Sequence, residues 1–517
     1  MLEQTAWLIP LLPLLAALWV GVGMAGGWNQ GEKGERPTAR VVLGATALSL
    51  LLLLALDLQA LINGAPGQQV YFSWLTSGSY EVLISFTLDG LGLSMATLVA
   101  LLCLVTIRFS IDYMHREAGF QRFFLVLSLF SSAMLLIVMA GNAVMAFIGW
   151  ELAGVSSYLL IAYAYDRPTA TGNATRAFVT NRIGDGGFVL GIAFCFLWFG
   201  SVEWPTILDE ERKLETLHAG LLLSGFLLAA MAKSAQLPFA GWIARALEGP
   251  TPSSAVFYGA LMVHAGVYLT IRLEPLLTQV PAMMVLLVVF GLGTALYGWL
   301  SGLTQTDVKS ALMFSTTAQV GLMFAECGLG WFDLAAWHLA AHAVLRAYQF
   351  LHAPAQLHLT KKPVRPVPAW LAQRPRLYNA ALQRFWLDPM SDWLLVRPTR
   401  ALAQDVRDFD QKVVNRMVGL PTGASALSSL AQYEKQKAGL TTEDSDIGRG
   451  SGVAGRILEW VAHKLHWFEE HLVLKGGGEG LKEAIERIGK YALLIEKLLS
   501  QPRYLLLLIM ATFVVII

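Results

Sequence analysis

The stretch FIGWELAGVSSYLLI, residues 147–161, lies inside an apolar run from 142 to 164 and carries one acidic residue, Glu151. A hydrocarbon core about 30 Å thick needs about 20 apolar residues in a helix, so the run is long enough to span a membrane. An ionisable side chain inside such a span is costly and indicates either pairing or function. Long apolar runs with a charge inside them recur along the chain, and they decide the fold class.

The composition of the whole chain is typical of an integral membrane protein. Of its 517 residues, 55% are hydrophobic and 15% are charged, whereas soluble domains carry about 25% charged residues. The formal net charge of +1 excludes a nucleic-acid binder with a broad basic field. Cys103, Cys195 and Cys327 are too far apart for a disulfide framework or a cysteine-spaced metal site, which leaves packing as their predicted role.

Eleven apolar runs predict eleven membrane-spanning helices. They lie at 5–24, 40–62, 86–108, 121–140, 142–164, 176–200, 219–239, 252–273, 279–301, 308–327 and 332–353. A shorter apolar run at 504–517 predicts a truncated or tilted twelfth span. The first run has no basic segment before it and no clear cleavage site, so we expect that it is not a cleaved signal peptide. The predicted fold class is all-α, a polytopic membrane protein with about 12 transmembrane helices.

The distribution of Lys and Arg predicts the orientation in the membrane. These residues concentrate in alternate loops and in the segment 354–400, which contains Lys361, Lys362, Arg365, Arg374, Arg376, Arg384, Arg397 and Arg400. Because such residues accumulate on the cytoplasmic side, we expect the N-terminus outside and the segment 354–503 inside, in a bacterial inner membrane. Arg212 and Lys213 fall on the predicted outer side and depart from this pattern.

The segment 354–503 is more polar than the rest of the chain. A Pro-rich stretch opens it, a Gly/Ser/Thr-rich linker follows at 439–455, and three glycines at 476–478 break a helical pattern. Between these breaks, the stretches 380–420, 455–474 and 479–500 have the periodicity of amphipathic helices. Such helices could lie along the membrane surface, brace neighbouring subunits, or form a small cytoplasmic appendage.

Further ionisable residues lie within the predicted spans. They are Arg182 and Asp185 at i,i+3, Lys233, His264, and the stripe of His338, His342 and Arg346 at i,i+4,i+8. Carboxylate, ammonium and imidazole groups can gain and lose protons when burial and neighbours adjust their pKa, so the set predicts a proton path. A movable pair of Glu151 and Lys233 would act as a protonation switch. Pro238 and the Gly-Pro-Thr-Pro run at 249–252 predict a broken helix beside it.

Structural roles compete with this interpretation. Arg182 and Asp185 fit a neutralised pair near a helix end better than a relay, and His264 fits a packing histidine equally well. For Glu151, Lys233 and the histidine stripe, the membrane environment favours a function. No HExxH pattern or third acidic ligand accompanies the histidines, so we expect no metal site. No Walker A or GxGxxG motif is present, so we expect no cofactor in this chain.

Five stretches, taken in order, resemble the motifs of the proton-conducting antiporter-like family of membrane subunits. They are FIGWELAGVSSYLLI, AFVTNRIGDGGF at 177–188, AKSAQLPFAGWIARALEGPTPSSA at 232–255, TQTDVKSALMFSTTAQVGLMF at 304–324 and WHLAAHAVLRAYQFL at 337–351. The family includes NuoL-type subunits of respiratory complex I, MrpA-type Na⁺/H⁺ antiporter subunits and DabB-type subunits of inorganic-carbon uptake complexes. The resemblance covers about 85–353. It returns more weakly at FWLDPMSDWLLVRP, 385–398, which resembles the start of the lateral-helix segment of NuoL-type chains.

The resemblance implies roles for particular residues. Glu151 corresponds to the glutamate of the family's fifth span, and Lys233 to the broken-helix lysine that this glutamate modulates. His338 and His342 match positions of the family's central polar axis, and His264 and Arg346 are expected in the same proton pathway. Arg346 stands where the family commonly has a lysine, and we expect a fixed charge there because arginine is not deprotonated in proteins. Supporting charges are expected at Arg182, Asp185, Asp307 and Lys309.

The family is built from two inverted five-helix repeats, which implies a domain layout. The predicted regions are N-terminal helices at 1–120, a first repeat at 121–273 with a broken helix near 233–250, a partial second repeat at 274–353, an amphipathic segment at 354–503 and a terminal span at 504–517. Most later helices of the second repeat are missing from this layout. Either a partner subunit completes the proton exit, or protons leave from the central axis through the 332–353 helix.

Three functions remain as alternatives. The shortened second repeat and AYQFLHAPAQLH at 347–358 favour a DabB-type subunit, which couples the proton gradient to inorganic-carbon uptake. That interpretation implies a large soluble DabA-like partner, a zinc carbonic-anhydrase-like protein. The second alternative is a NuoL-like proton-pumping subunit whose partners are the membrane subunits of a complex I or membrane hydrogenase relative. The third is a non-conducting scaffold. In each case we expect a coupling subunit without catalytic chemistry of its own.

Overall fold

The computed structural model describes residues 2–78, 80–209, 211–359 and 366–410, together with Trp460, Lys464 and Lys490. Apart from those three residues, the predicted linker at 439–455, the helices at 455–474 and 479–500 and the span at 504–517 lie outside the described residues. The chain divides into two compact units, Met1–Val396 and Arg397–Ile517. All eleven predicted spans up to residue 353 belong to the first unit.

Long helices occupy all eleven predicted spans, which confirms the all-α polytopic class. They are α1 Leu8–Ala25, α2 Gly31–Asn63, α3 Gly90–Tyr113, α4 Phe120–Met139, α5 Ala143–Ile161, α6 Pro168–Phe199, α7 Thr216–Lys233, α8 Thr251–Arg272, α9 Pro281–Gly302, α10 Val308–Gly328 and α11 Phe332–Leu359. Among the described residues, nine helices are long and apolar enough to cross a membrane, and α10 and α11 are not among them. Polar side chains along α11 lower its hydropathy.

Side-chain caps set the first residue of three helices. Asp89, Asn142 and Asp307 precede α3, α5 and α10, and each accepts a hydrogen bond from the backbone nitrogen three residues on, at 2.7, 2.8 and 2.8 Å. Such caps satisfy backbone donors that have no partner within the helix. Asp307, predicted as a supporting charge, is therefore an exposed helix cap in this structure.

A β-hairpin lies between α2 and α3, where the sequence pattern predicts no strand. Strand β1, Gly67–Ser77, pairs antiparallel with β2, Tyr80–Leu88, so the first residues of the predicted third span belong to a strand. Aromatic and β-branched residues are frequent here, and they favour strands. Gly78 adopts φ +61° in the two-residue connection, a conformation that glycine reaches without steric cost. These residues are also apolar, so the sequence pattern did not separate the end of β2 from the start of the third predicted span.

The predicted break after Lys233 is confirmed. Helix α7 ends at Lys233, and a 3-10 helix, Phe239–Glu248, separates it from α8. Ala235 has φ +51°, and Pro238 has no backbone N–H to continue the helix. Helix α8 is itself irregular, with a π-helical turn at Ala255–Ala260. Irregular backbone at membrane depth must be enclosed by protein, and every residue of α8 is buried.

Helices α6 and α7 approach each other through glycines. A Cβ atom added to Gly187 or to Gly225 would lie 2.7 Å from the carbonyl oxygen of the other residue. At Gly184, an added Cβ would lie 2.3 Å from the Cβ of Ala232. Small residues of this kind allow membrane helices to pack backbone against backbone. The contact sets the side chains that follow Gly184 on α6 against the end of α7.

A segment after α11 folds back onto the first unit. We call residues 384–396 the strap; the backbone turns at its first three residues, each with φ +53°. Asp388 accepts a hydrogen bond from Arg245 at 2.8 Å, and Asp392 pairs with Arg176 at 2.5 Å. The strap thus joins the 3-10 segment after α7 and the start of α6. The described part of the predicted helical stretch 380–420 is helical, in several short pieces that include Leu387–Ser391 and Arg397–Phe409.

Candidate functional site

Four ionisable side chains from three helices meet inside the bundle, and we call them the acid–base cluster. They are Glu151 on α5, Arg182 and Asp185 on α6, and Lys233 at the end of α7. Glu151 pairs with Arg182, Arg182 Nε lies 3.2 Å from Asp185 Oδ2, and Lys233 Nζ lies 3.7 Å from Asp185 Oδ1. With all four groups ionised, two positive and two negative charges balance.

The pairing inside the cluster differs from the predicted one. The sequence predicts a direct switching pair of Glu151 and Lys233, whereas the structure places Arg182 and Asp185 between them. The predicted position of Arg182 and Asp185 near a helix end is also wrong. Helix α6 has 32 residues and begins at Pro168, well before the predicted start at 176, so the two side chains lie near its middle. They belong to the site itself.

Lys233 is held by more than its carboxylate partner. Its side chain is 1% exposed, its Nζ lies 3.3 Å from the Trp150 carbonyl oxygen, and the ammonium lies 5.2 Å from the centroid of the Trp150 ring, within the range of a cation–π contact. Trp150 Nε1 also donates to Asp185 Oδ1 at 2.8 Å. Gly154, one turn further along α5, leaves space there, since an added Cβ would lie 3.2 Å from Lys233 Nζ.

A second polar group, the histidine chain, consists of His264 on α8 and His342 and His338 on α11. His264 Nε2 and His342 Nδ1 are 2.9 Å apart, and Arg346 Nε donates to His342 Nε2 at 3.0 Å. Because arginine has donors and no acceptor, His342 Nε2 must accept. His342 then donates from Nδ1 to His264, which leaves the hydrogen of His264 on its own Nδ1. Arg346 therefore fixes the tautomers of both rings while they are neutral.

His338 forms the outer member of this chain. Its Nδ1 lies 2.9 and 3.1 Å from the two carboxylate oxygens of Glu326 on α10, and its Nε2 lies 2.9 Å from Gln319 Oε1. The rings of His338 and His342 are perpendicular, with centroids 6.1 Å apart. Glu326 is not among the residues predicted from the sequence, although an acidic residue at the end of the apolar run 308–327 is a signal that could have found it.

Buried polar atoms lie along the chain between the cluster and the histidines. Within the described residues, Ser234 Oγ, Gln236 Oε1 and Tyr258 Oη have no hydrogen-bond partner. Ser234 follows Lys233 directly, and a Cβ added to Gly266 on α8 would lie 2.3 Å from its hydroxyl oxygen. The end of α7 therefore touches α8 two residues from His264. These hydroxyl and amide groups are buried polar positions that lie between Lys233 and His264 in the sequence.

Asp307 and Lys309 lie apart from both groups. Asp307 is the exposed cap of α10, and Lys309 is half-buried in the first turn of the same helix. In the part of the chain that the structure describes, neither side chain contacts the acid–base cluster or the histidine chain. Their role as supporting charges stays a prediction.

A carboxylate outside the spans anchors the hairpin. Glu203 accepts hydrogen bonds from Ser85 Oγ at 2.7 Å and Asn142 Nδ2 at 2.8 Å, and from Gln68. Burial raises the pKa of the Glu203 carboxyl above its ordinary value, and these hydrogen bonds offset part of the shift. The network ties both strands to the start of α5, the helix that carries Glu151. The sequence contains no spacing that would have indicated it.

Two protein families match the chain over its helical part. Residues 140–365 match the family described as "NADH:quinone oxidoreductase/Mrp antiporter, TM", and residues 74–124 match "NADH-Ubiquinone oxidoreductase (complex I), chain 5 N-terminus". The first match contains every residue of the acid–base cluster and the histidine chain.

Curated relatives match more than two thirds of the chain. NAD(P)H-quinone oxidoreductase subunit 5, organellar chromatophore 1, from Paulinella chromatophora is 35% identical over 380 residues, 72% of this chain and 57% of the relative. NAD(P)H-quinone oxidoreductase chain 5 from Synechocystis sp. (strain ATCC 27184 / PCC 6803 / Kazusa) is 36% identical over 367 residues, 69% of this chain and 53% of the relative. The chain thus spans little more than half the length of these relatives.

Solved structures share the fold at low sequence identity. The Mrp complex from Dietzia sp. DQ12-45-1b aligns with a TM-score of 0.60 at 20% identity, covering 100% of this chain and 63% of the other. The membrane-bound sulfane sulfur reductase, an archaeal respiratory membrane complex, aligns with a TM-score of 0.58 at 20% identity, covering 67% and 70%. The chain belongs to the family of antiporter-like membrane subunits that includes chain 5 of NADH:quinone oxidoreductase and the Mrp antiporter subunits.

Proposed function

We propose that this chain translocates protons as a membrane subunit of a complex of the complex I or Mrp type. The observation that carries the proposal is the position of Lys233, fully buried at a helix break beside Asp185, which is linked through Arg182 to Glu151. A buried, balanced set of titratable groups at a broken helix is suited to passing protons. The relatives from Paulinella and Synechocystis are quinone oxidoreductase subunits by name, which favours the NuoL-like alternative and gives no support to inorganic-carbon uptake.

Movement of Arg182 between its two carboxylates provides the switch. Arg182 keeps its charge, and in this structure it contacts Glu151 and Asp185 together. When Arg182 shifts toward Glu151, Asp185 is left to stabilise a protonated Lys233. When Arg182 shifts toward Asp185, Lys233 loses its counter-ion and releases its proton toward Ser234 and the histidine chain. The switch therefore works through Arg182 and Asp185 and not through a direct contact of Glu151 with Lys233.

The proposal is tested by proton flux in liposomes. The tagged chain is purified with its partners in mild detergent and reconstituted, and a potassium diffusion potential drives flux that an internal pH dye reports. We expect Lys233→Ala and Glu151→Gln to reduce flux to that of protein-free liposomes without loss of assembly. Lys33→Ala, in the exposed first turn of α2, is the matched control and should keep wild-type flux. Normal proton flux in an assembled Lys233→Ala complex would mean that the chain is a scaffold. If the flux requires Na⁺, the translocated ion is Na⁺ and not the proton.

The partners are tested by identifying the proteins that co-purify. We expect membrane subunits of a redox complex, accompanied by subunits that hold flavin, iron–sulfur clusters or a quinone site. Mass spectrometry of the purified complex provides the measurement. Recovery of one large soluble zinc protein as the sole partner would instead support the carbon-uptake alternative and overturn this part of the proposal.

A further inference from the structure

The Glu326 carboxylate contacts the outer end of the histidine chain, at His338. The inner histidines are buried, with His264 1% and His342 4% exposed as whole residues. The outer pair is more accessible, with the side chains of His338 and Glu326 21% and 16% exposed. Glu326 lies two residues before the end of α10, and His338 lies in the second turn of α11. His338 and Glu326 are therefore the accessible members of the group, and they lie close to the turn that joins α10 to α11.

Arg346 lies one turn beyond His342 along α11, in the direction away from His338. Its guanidinium donates to His342 Nε2 at 3.0 Å and to Gln349 Oε1 at 2.6 Å, and it also contacts the Ser315 hydroxyl. A fixed positive charge next to His342 opposes the passage of a further proton past it, since like charges repel strongly where water is excluded. A proton on His342 or His264 can therefore move toward His338 but not past Arg346.

The contact of His338 with Glu326 holds one proton. Nε2 of His338 faces Gln319 Oε1, an acceptor, so this nitrogen carries a hydrogen. A neutral ring with its hydrogen on Nε2 has a bare Nδ1, yet Nδ1 lies 2.9 Å from a Glu326 oxygen. The pair is therefore either imidazolium with carboxylate or imidazole with carboxylic acid. In both forms the pair of His338 and Glu326 shares one titratable proton, which lies on His338 Nδ1 or on a Glu326 oxygen.

We propose that Glu326 and His338 are the terminal at which the pathway exchanges protons with water at the α10–α11 end of the bundle. The inference rests on the proposed proton translocation and adds the residue that completes it. Protonated His338 gives its Nδ1 proton to a Glu326 oxygen, the carboxylic acid releases that proton to water, and neutral His338 accepts the next proton from His342. Both ring nitrogens of His342 are engaged in this structure, so His342 must first turn away from Arg346 to take up and pass on that proton. The same rotation, or a bridging water, spans the 6.1 Å between the ring centroids of His342 and His338.

The titratable groups that face the terminal come from several elements. His342 and Arg346 lie further along α11, and His264 faces them from α8. Glu274, in the short helix Glu274–Leu277 after α8, is a further acidic group near Cys327 at this end. On α10, Gln319 is neutral and holds the second nitrogen of His338. The carboxylate in hydrogen-bonding contact with His338 is that of Glu326.

The test compares Glu326→Gln with a neighbouring carboxylate. The amide keeps a hydrogen-bonding group opposite His338 and removes the titratable one, so we expect an assembled complex whose proton flux falls about tenfold or more. Added imidazole buffer should restore part of that flux, because a mobile base replaces a lost terminal at a water-exposed site. Asp333→Asn, on the exposed face at the start of α11, is the matched control and should keep wild-type flux.

The outcomes separate this inference from the proposed function. If Lys233→Ala abolishes flux while Glu326→Gln keeps it, translocation stands and the terminal is wrong. Loss of flux in Glu326→Gln that no buffer restores would assign Glu326 a structural role and would also overturn the inference. If Glu326→Gln does not assemble, His338→Gln takes its place, and wild-type flux in that variant contradicts the terminal.

Discussion

Asp185 stands 3.7 Å from Lys233, on a helix that glycines bring into backbone contact with α7. It is the immediate carboxylate partner of the buried ammonium in the described structure, while Glu151 acts on Lys233 through Arg182. Asp185 should therefore affect the charge state of Lys233 more strongly than Glu151 does. The glycine contact between α6 and α7 brings the side chains of Asp185 and Lys233 to this distance.

Asp185→Asn should reduce proton flux at least as strongly as Glu151→Gln. The amide keeps an oxygen to accept from Trp150 Nε1, so packing is retained, but it removes the negative charge beside Lys233. Removing one partner of a buried pair leaves the other without compensation. Flux in liposomes, normalised to the amount of assembled complex, measures the effect. Wild-type flux in Asp185→Asn with loss of flux in Glu151→Gln would favour the direct Glu151–Lys233 switch.

Gly154→Ala should slow flux with little loss of assembly. The added Cβ would lie 3.2 Å from Lys233 Nζ and 3.3 Å from Arg182 Nη2, so both groups must move by a few tenths of an ångström. Because misplacement by about 1 Å can cost about 100-fold in rate, we expect a loss of about fourfold. Gly172→Ala is the matched control, since its Cβ meets nothing within 4 Å. Equal flux in both variants would show that the space at Gly154 is unimportant.

Glu203 should make the stability of the hairpin depend on pH. Burial raises its folded pKa above the ordinary value, so the folded state binds more protons than the unfolded state between the two pKa values. Stability therefore falls as the pH rises from the ordinary carboxyl pKa through the folded pKa. Glu203→Gln should remove this dependence and cost about 1 kcal/mol at low pH through altered hydrogen bonding.

Thermal unfolding of the detergent-solubilised complex between pH 5 and pH 8 measures this effect. For a chain of 517 residues, a change of about 1 kcal/mol should shift the midpoint by about 1 °C. The wild-type midpoint should decrease across the range more than that of Glu203→Gln. A variant with the same pH dependence as the wild type would show that another group is responsible.

Asp388→Ala should loosen the strap. Asp388 accepts from Arg245 at 2.8 Å and from Arg384 at 3.3 Å, and it is itself buried. Because Arg245 is about half exposed, we expect a loss of only about 1 kcal/mol. Hydrogen exchange should increase in peptides covering 384–396 and 239–248. The control is Asp112→Ala, which removes a mostly exposed pair of the same kind, with Arg108 at 2.9 Å. It should leave hydrogen exchange in these peptides unchanged. If both variants change the exchange of these peptides equally, Asp388 does not hold the strap.

The spans and the break after Lys233 were predictable because hydropathy and proline act locally along the chain. Residues such as Glu151 and Lys233 stood out because a charge in an apolar run is rare. Their pairing was not predictable, since it depends on the glycine contact of α6 with α7. The hairpin was missed because aromatic and branched apolar residues suit a strand and a span equally well. Glu203 gave no signal, since its partners come from three distant parts of the sequence.

The functional prediction depended on the length of the helical part. A shortened second repeat favoured the carbon-uptake interpretation, whereas the matching families and relatives favour the quinone-oxidoreductase alternative. The stretches that carry the cluster resemble NuoL-, MrpA- and DabB-type subunits alike, so they do not distinguish between the partners. Glu326 and Arg346 are more informative about this chain, because they define where its histidine chain opens and where it is closed.

Helix α8 has no face left for lipid, since all of its residues from Thr251 to Arg272 are buried. Changes in bilayer thickness or lipid composition therefore reach it through the surrounding helices, above all the weakly enclosed α2, α6 and α9. The same enclosure bears on biogenesis. The irregular backbone at its π-helical turn and its buried histidine are enclosed only once the neighbouring helices have packed around α8. Mutations in α8 should thus appear first as failures of insertion and maturation in the cell.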